Sequence, residues 1–409
     1  MLAGSLERTH RHHEAPAGGG CRSAKYGSLC VPEHPALSLA MDKTTPIVVG
    51  AVAVTGAVAG LCLAGQCGRA PRMEKPVLPR VMFGTASLGN LYAEPPWEEK
   101  KAVIEAVVKS AGDGVAVFDS AGKYGAGLAL EVLGKALEEL GVPPEKVLIS
   151  NKLAWKRIPL PPGTEPTFEP GAWVNLKNDA VQDISYQGIM DCFANGNELL
   201  GKYDSGLGSV HDPDEYLNAA KDAAELEKRR ADVLGAYKAL SELRDAGKVG
   251  SIGVGAKDIT AIDWISDHVQ LDWAMFACSI TPYSHGDVAK RLLKKLGAQG
   301  VDVINSAVFN GGFLTGGSFF DYREVKPDTD PELFAWRDKF NAICAEFKVK
   351  PAEVCVQFSF LFPEIKSVAL ATSKPARVAS NLELANAVMP AGLWEKLEAE
   401  KLINLSPPM

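Results

Sequence analysis

Short apolar runs alternate with longer helical runs from residue 79 onward. In the helical run at 128–140, Leu130, Leu133 and Leu137 keep the three-or-four spacing of a buried face. Further helices are predicted near 98–111, 188–200 and 226–246. Eight strands are predicted at 81–83, 115–119, 147–151, 207–210, 252–254, 273–276, 301–304 and 367–370.

Repeated strand–helix units predict parallel strands, because each crossover helix returns the chain to the same end of the sheet. Eight such units fit a closed barrel better than an open doubly wound sheet. We therefore predict an α/β fold, a (β/α)₈ TIM barrel over residues 79–404. The fourth strand contains Gly206 and Gly208, which we expect to weaken it.

The region before the barrel has a different composition. Residues 1–43 are rich in Gly, Ala, His and Pro without an amphipathic period, which predicts a disordered leader. Residues 44–66 carry no charge, and twenty apolar or small residues can just span a bilayer. Their Gly, Ala and Val content gives only a modest drive for insertion. A linker is predicted at 67–78.

Three interpretations of the hydrophobic segment remain open. It is a transmembrane anchor working through residues 46–65, a cleaved signal or organelle-targeting sequence, or a neutral leader with an alternative start at Met41. Basic residues follow the segment at Arg69, Arg72, Lys75 and Arg80, whereas only Lys43 lies close in front of it. An anchored protein would therefore keep its barrel on the cytosolic side. We expect a cytoplasmic or cytosol-facing barrel.

Composition narrows the range of partners. The net charge is −7 and the pI about 5.6, so nucleic-acid binding is not expected, since it normally needs a basic surface. The eight cysteines form no CxxC pair, and no His/Cys group has the spacing of a metal site. Four of the seven histidines lie in the leader, where no metal site is expected. These features predict reduced, mostly buried thiols and no metal site.

Four polar residues lie near the ends of three successive predicted strands: Asp119, Tyr124, Lys152 and His211. The carboxyl ends of parallel barrel strands converge on one rim, so these side chains are expected to meet. A tyrosine near pKa 10 is a poor base at neutral pH unless a cation lies beside it. Lys152 would be that cation, Asp119 would hold it, and His211 would orient a substrate oxygen.

Each of the four residues also has an ordinary structural explanation. Asp119 can cap a turn, Tyr124 can be a loop aromatic, Lys152 can be solvated, and His211 can be a satisfied rim histidine. Their joint placement in order on adjacent strand ends favours the catalytic interpretation. No GxGxxG motif follows the first strand, so a dinucleotide would have to bind without a Rossmann crevice.

These residues lie in motifs that resemble the aldo/keto reductase superfamily, over about residues 79–400. FDSAGKYGAGLALEVLGKAL resembles its strand-two signature, and ISNK and SVHD match the two other members of its catalytic tetrad. The resemblance implies a (β/α)₈ barrel that binds NAD or NADP in extended form. VHDPDEYL, GKVGSIGVGAKD and VINSAVFNGGFLTGG resemble the branch of D-threo-aldose and L-fucose/L-galactose 1-dehydrogenases, which oxidise a sugar's anomeric hydroxyl to a lactone.

The resemblance also implies cofactor contacts. Around the nicotinamide half they are Gly84, Thr85 and Ser306, at the pyrophosphate Phe309, Gly312 and Leu314, and at the adenosine Ser373, Lys374, Arg377 and Asn381. Ala371 and Ser380 depart from the adenosine motif, which weakens the case for NADP. Lys374 and Arg377 are still able to grip a 2′-phosphate, so both nucleotides stay open.

Three aromatic residues, Tyr92, Trp155 and Phe276, are candidates to stack on a sugar ring, with rim packing as the alternative. The leading hypothesis is NAD(P)-dependent oxidation of a small aldose at C1. The alternatives are an NADPH-dependent aldehyde or ketone reductase and a membrane-associated regulatory subunit of the same fold. The sequence predicts neither a particular sugar nor an oligomeric state.

Overall fold

The computed structural model describes residues 73–321 and 323–407. The predicted leader, the hydrophobic segment and residues 67–72 of the linker lie outside the described residues. Within the described part, no helix is both long and apolar enough to cross a membrane. No three His, Cys, Asp or Glu side chains in those ranges are grouped so that they could hold a metal ion.

The strands of the described residues fall into one large sheet and two small hairpins. They are β1 (Val81–Gly84), β2 (Ala116–Ala121), β3 (Val147–Leu153), β4 (Trp155–Pro159), β5 (Asn178–Gln182), β6 (Ser205–His211), β7 (Ser251–Ala256), β8 (Trp273–Ala277), β9 (Asp302–Ser306), β10 (Phe319–Phe320), β11 (Arg323–Glu324) and β12 (Ile365–Ala371).

Helices follow or separate the strands. They are α1 (Trp97–Ser110), α2 (Leu128–Glu139), α3 (Tyr186–Leu200), α4 (Pro213–Asn218), α5 (Ala223–Asp245), α6 (Ile259–His268), α7 (Asp287–Ala298), α8 (Pro331–Glu346), α9 (Pro351–Ser359), α10 (Ala376–Asn386) and α11 (Leu393–Ala399).

Eight parallel strands close into a barrel in the order β1–β2–β3–β6–β7–β8–β9–β12, and β12 pairs again with β1. The predicted (β/α)₈ fold is confirmed. The fourth strand, β6, is seven residues long and pairs with both β3 and β7, and its register against β3 shifts at Gly206, one of the two glycines expected to weaken it. A Cβ at Gly208 would lie 3.1 Å from Leu240, so this glycine lets α5 pack closely against the strand.

Side chains alternate between two apolar layers. A small interior cluster comes from β1, β2, β6, β8 and β9 and comprises Met82, Val117, Leu207, Trp273, Met275 and Ile304. The larger clusters lie between the strands and the surrounding helices. Because strand side chains point alternately to opposite faces, this division fixes which residues of each strand can reach the interior.

The β4–β5 hairpin was not predicted from the sequence. Its two strands pair antiparallel, and the connecting residues 160–177, called here the mouth segment, contact the loop that follows β1. Leu91 and Trp173 form an antiparallel bridge, and the Tyr92 amide donates to the Ala172 carbonyl at 2.7 Å. The mouth segment therefore lies beside the carboxyl ends of β1 and β2.

Candidate active site

A buried ion pair joins two neighbouring barrel strands. Lys152, near the end of β3, places its Nζ 2.6 Å from each carboxylate oxygen of Asp119 on β2. The two residues are 2% and 3% exposed. Each charge needs the other, because an unpaired charge at this depth is strongly disfavoured.

Tyr124 lies in the turn after β2, and a close backbone approach fixes that turn. Gly125 has φ +62°, and a Cβ there would come within 2.3 Å of the Gly89 carbonyl oxygen. The loops following β1 and β2 therefore touch backbone to backbone. A side chain at position 125 would push these loops apart and move the phenol.

The structure brings the four predicted catalytic residues together. The Lys152 ammonium lies 4.8 Å from the centroid of the Tyr124 ring. His211 is the last residue of β6, and its ring centroid lies 5.7 Å from that of Tyr124 with the rings at 84°. Its Nδ1 is buried and has no hydrogen-bond partner among the described residues.

Burial and nearby charges set the protonation of the two rings. Burial, followed by the carboxylates of Asp119 and Asp212, raises the pKa of Tyr124 well above its usual value, and Lys123 opposes the shift. Burial, followed by the charges of Lys152 and Lys123, lowers the pKa of His211 well below its usual value. At neutral pH the pocket therefore presents a protonated phenol and a neutral imidazole, and both can hydrogen-bond to an oxygen.

The sequence analysis missed Lys123, which is 2% exposed. Its Nζ lies 2.6 Å from Asp212 Oδ2, 2.9 Å from Glu169 Oε1 and 3.3 Å from Glu215 Oε2. Burial disfavours its charge, but the three carboxylates outweigh that effect and raise the pKa of Lys123. The only sequence signal was a lysine placed directly before the signature tyrosine.

The mouth segment places an aromatic ring against Tyr124. The ring centroids of Trp173 and Tyr124 are 6.1 Å apart. The Trp173 indole N–H donates to Glu169 at 2.8 Å, and Phe168 packs against Trp173 with centroids 6.0 Å apart. Trp173 was not among the predicted site residues.

The three aromatic residues predicted to contact substrate have different environments. Tyr92 is 58% exposed and stacks on Phe319 at 6.0 Å. Trp155 is partly buried, with the Lys123 ammonium 4.5 Å from its ring centroid. Phe276 is wrongly predicted, since it is fully buried in the layer between barrel and helices. Its neighbour Met275 points into the barrel, so the alternation of the strand turns Phe276 away from the mouth.

A family model described as "Aldo/keto reductase family" matches residues 80–400 of the chain. The chain belongs to the aldo/keto reductase family. As a member, it is an oxidoreductase that uses NAD(P)(H) and acts on a small carbonyl compound or the matching alcohol.

Two characterised relatives cover most of the barrel. The chain is 30% identical to pyridoxal 4-dehydrogenase from Microbacterium luteolum over 336 residues, which is 79% of this chain and 94% of that protein. It is 27% identical to D-threo-aldose 1-dehydrogenase from a Pseudomonas species over 334 residues, covering 80% of this chain and 95% of that protein.

Solved structures show the same fold at lower identity. An aldo-keto reductase from Bacillus halodurans (holo form) matches with a TM-score of 0.57 at 16% identity, covering 82% of this chain and 97% of that chain. The glycerol dehydrogenase from Gluconobacter oxydans also gives a TM-score of 0.57 at 16% identity, with coverages of 83% and 98%.

The residues with predicted contacts to the nicotinamide half lie at strand ends on the same rim. Gly84 ends β1, and Thr85 is buried with its Oγ1 3.0 Å from the Asp119 carbonyl oxygen. Ser306 ends β9 and donates its hydroxyl to the Phe276 carbonyl at 2.9 Å. Gly84 pairs directly with Asp119 across β1 and β2.

The predicted pyrophosphate loop follows β9. Gly312 has φ +97° and no atom within 4 Å of where a Cβ would lie, so its backbone is open to a ligand. Phe309 is partly buried, whereas Leu314 is fully buried in the core, so only the main chain of Leu314 could contact a nucleotide.

The predicted adenosine site surrounds the start of α10. Ser373 and Lys374 precede the helix, Arg377 lies in its first turn, and Asn381 follows one turn later. Arg377 is exposed, and Lys374 forms an exposed ion pair with Glu99 at 2.9 Å. Two basic side chains at a helix start suit a phosphate-bearing nucleotide. The residues present therefore fit NAD(P).

Proposed function

We propose that this enzyme uses NAD(P)⁺ to oxidise a small aldose at C1 to the lactone. The observation that carries the proposal is the buried Lys152–Asp119 pair beside Tyr124, with the His211 ring nearly perpendicular to the phenol. D-threo-aldose 1-dehydrogenase and pyridoxal 4-dehydrogenase support this choice. Aldoses and pyridoxal both carry a hydroxyl that can close onto the aldehyde, so each presents a cyclic hemiacetal.

In this reaction the hemiacetal loses one hydrogen from C1 as a hydride and one from its hydroxyl as a proton. When bound at the strand ends, NAD(P)⁺ would supply the acceptor for the hydride that leaves C1. Tyr124 takes the hydroxyl proton as the C1–O bond becomes the lactone carbonyl, and the Lys152 ammonium stabilises the phenolate needed for this step. Asp119 keeps Lys152 charged and in place. His211 donates a hydrogen bond to the substrate oxygen and orients it. Acid–base assistance of this kind is worth about 10² to 10⁴ in rate.

Reduction of an aldehyde or ketone with NADPH is the second candidate, and the raised pKa of Tyr124 favours it. A protonated phenol can donate directly to a carbonyl oxygen that receives a hydride. Oxidation must first remove that proton, and cation charge near the phenol assists this removal.

A substrate panel separates the two directions. We expect L-galactose, L-fucose or D-arabinose with NAD⁺ or NADP⁺ to give a higher kcat/KM than simple aldehydes with NADPH. Pyridoxal with either oxidised cofactor tests the other hemiacetal substrate. Turnover of simple aldehydes with no oxidation of any aldose would contradict the proposal and leave the reductase.

Charge at the start of α10 is expected to set the choice of nucleotide. Replacing both Lys374 and Arg377 with methionine should raise the KM for NADP⁺ by about tenfold or more, since a hydrogen bond to a charged group contributes about 1.5–3 kcal/mol. The KM for NAD⁺ should change much less. Lys366→Met, at an exposed lysine near the start of β12, is the matched control. An equal rise in the KM for NADP⁺ and for NAD⁺ would contradict a contact between these side chains and the 2′-phosphate.

A further inference from the structure

Lys123 is a buried cation that the mechanism above does not use. It immediately precedes Tyr124 in the chain, yet its carboxylate partners come from two other parts of the barrel mouth. Asp212 and Glu215 belong to the turn and helix after β6, while Glu169 belongs to the mouth segment. A lysine with only a packing role would not need three carboxylates, so its charge is the property to explain.

We propose that Lys123 is a positioning residue for the reaction. Its ammonium compensates the carboxylate of Asp212 beside His211 and Tyr124, and it ties the mouth segment over the phenol through Glu169. The inference rests on the proton-transfer role proposed for Tyr124, but it holds for either direction of the reaction.

Asp212 is the carboxylate that makes compensation necessary. It is 4% exposed and has φ +52°, so its backbone is held in an unusual conformation at the end of β6. Its Oδ2 accepts from Lys123, and its Oδ1 lies 3.7 Å from His211 Nε2. Without Lys123, a buried negative charge would face the two catalytic rings. Asp212 raises the pKa of Tyr124 and Lys123 lowers it, in agreement with opposed roles.

Several other charged groups share this end of the barrel, and most of them act on one of the same two rings. Asp119 and Lys152 form the pair below the phenol, and Glu169 approaches from the mouth segment. Glu215 and Lys257 pair with each other at 2.7 Å. Asp214 accepts from the main-chain N–H groups of Lys257 and Asp258. In this group, the Lys123 ammonium is bonded directly to the Asp212 carboxylate at 2.6 Å, and Lys257 adds a second positive charge that acts on Asp212.

The second part of the proposal concerns the mouth segment. Lys123 contacts Glu169, Glu169 accepts from the Trp173 indole, and Trp173 lies against Tyr124. This chain of contacts begins and ends at adjacent residues, 123 and 124. Losing the ammonium would therefore loosen the ring that covers the phenol as well as change the charge near it.

The test is the pH profile of kcat/KM with whichever substrate the panel identifies. Lys123→Met should move the midpoint of the Tyr124-dependent limb to higher pH by about one unit, because an uncompensated anion stabilises the protonated phenol. The midpoint should move to higher pH whether the enzyme is assayed in oxidation or in reduction. Oxidation then needs a higher pH to deprotonate Tyr124, and reduction keeps its proton donor to a higher pH.

Three variants separate charge from packing. Lys123→Arg keeps the charge and should restore the wild-type midpoint. Glu169→Gln removes a negative charge that also raises the pKa of Tyr124, so its midpoint should stay or move down while the mouth segment loosens. Lys123→Met combined with Asp212→Asn removes both charges of the pair and should return the midpoint to wild type. If Lys123→Met alone does not fold, the midpoint of this double variant is compared with that of the wild type instead.

Hydrogen–deuterium exchange followed by mass spectrometry measures the mouth segment without any turnover. Peptides covering residues 160–177 should exchange faster in both Lys123→Met and Glu169→Gln. A Lys123→Met enzyme with the wild-type midpoint, or a double variant whose midpoint is still raised, would overturn the proposal. If no aldose is oxidised, the substrate proposal fails separately, because the exchange data and the pH profile with a carbonyl substrate still test Lys123.

Discussion

Replacing Tyr124 with phenylalanine is expected to lower kcat/KM by about 10² to 10⁴, the range for a group that transfers a proton in the rate-limiting step. The ring and its contacts with Trp173 and His211 remain, so the variant removes one oxygen and little packing. Steady-state kinetics measure the loss. Titration of NADPH by fluorescence should show nearly unchanged cofactor binding, because the phenol is not among the predicted cofactor contacts.

Tyr186→Phe is the matched control for this change. Tyr186 begins α3 and donates its hydroxyl to Glu242 at the protein surface. Its removal should leave kcat/KM within about threefold of wild type, as expected for an exposed hydrogen bond. If Tyr124→Phe is as active as this control, the phenol is not the proton donor or acceptor and the proposed mechanism is wrong.

Lys152→Met should have the largest combined effect, on both activity and stability. The substitution leaves the Asp119 carboxylate buried without its partner, and breaking a buried pair in this way costs about 3–5 kcal/mol of the free energy of unfolding. It also removes the cation that the phenolate needs, so activity should fall at least as far as in Tyr124→Phe. Urea denaturation and steady-state kinetics measure the two effects.

A double variant separates these two effects. Lys152→Met with Asp119→Leu removes both charges and replaces them with apolar groups, which in other buried pairs is often neutral or stabilising. We expect it to recover much of the lost stability and none of the activity. Recovery of activity along with stability would mean that the pair only supports the fold.

The barrel was predictable because its strands are short apolar runs that need no distant partner to be recognised. Trp273 and Met275 fill the interior, and the helices provide the opposite layer, as their spacing indicates. The β4–β5 hairpin was missed because half the residues of its short strands are polar and its 160–177 connection is long. Such a hairpin is stabilised by packing against the rim of the barrel. The local pattern of apolar and polar residues does not reveal these distant contacts.

The candidate site likewise has residues that the sequence predicts and residues that it does not. The barrel topology alone predicts that the four residues near the strand ends lie close together. Lys123 could not, because a lysine is expected in solvent and its partner Asp212 is 89 positions away in the chain. Phe276 was assigned to the mouth because it lies near a strand end, but the two-residue period of β8 turns it toward the helices.

Transfer of deuterium from C1 of a labelled aldose tests the central claim most directly. Wild-type enzyme incubated with [1-²H]-L-fucose, L-galactose or D-arabinose and NAD(P)⁺ should give NAD(P)H carrying the label and an unlabelled lactone, both detected by mass spectrometry. Tyr124→Phe should form the same products far more slowly. Reduced cofactor without deuterium, or no lactone from any of these sugars, would contradict hydride transfer from C1 at this site.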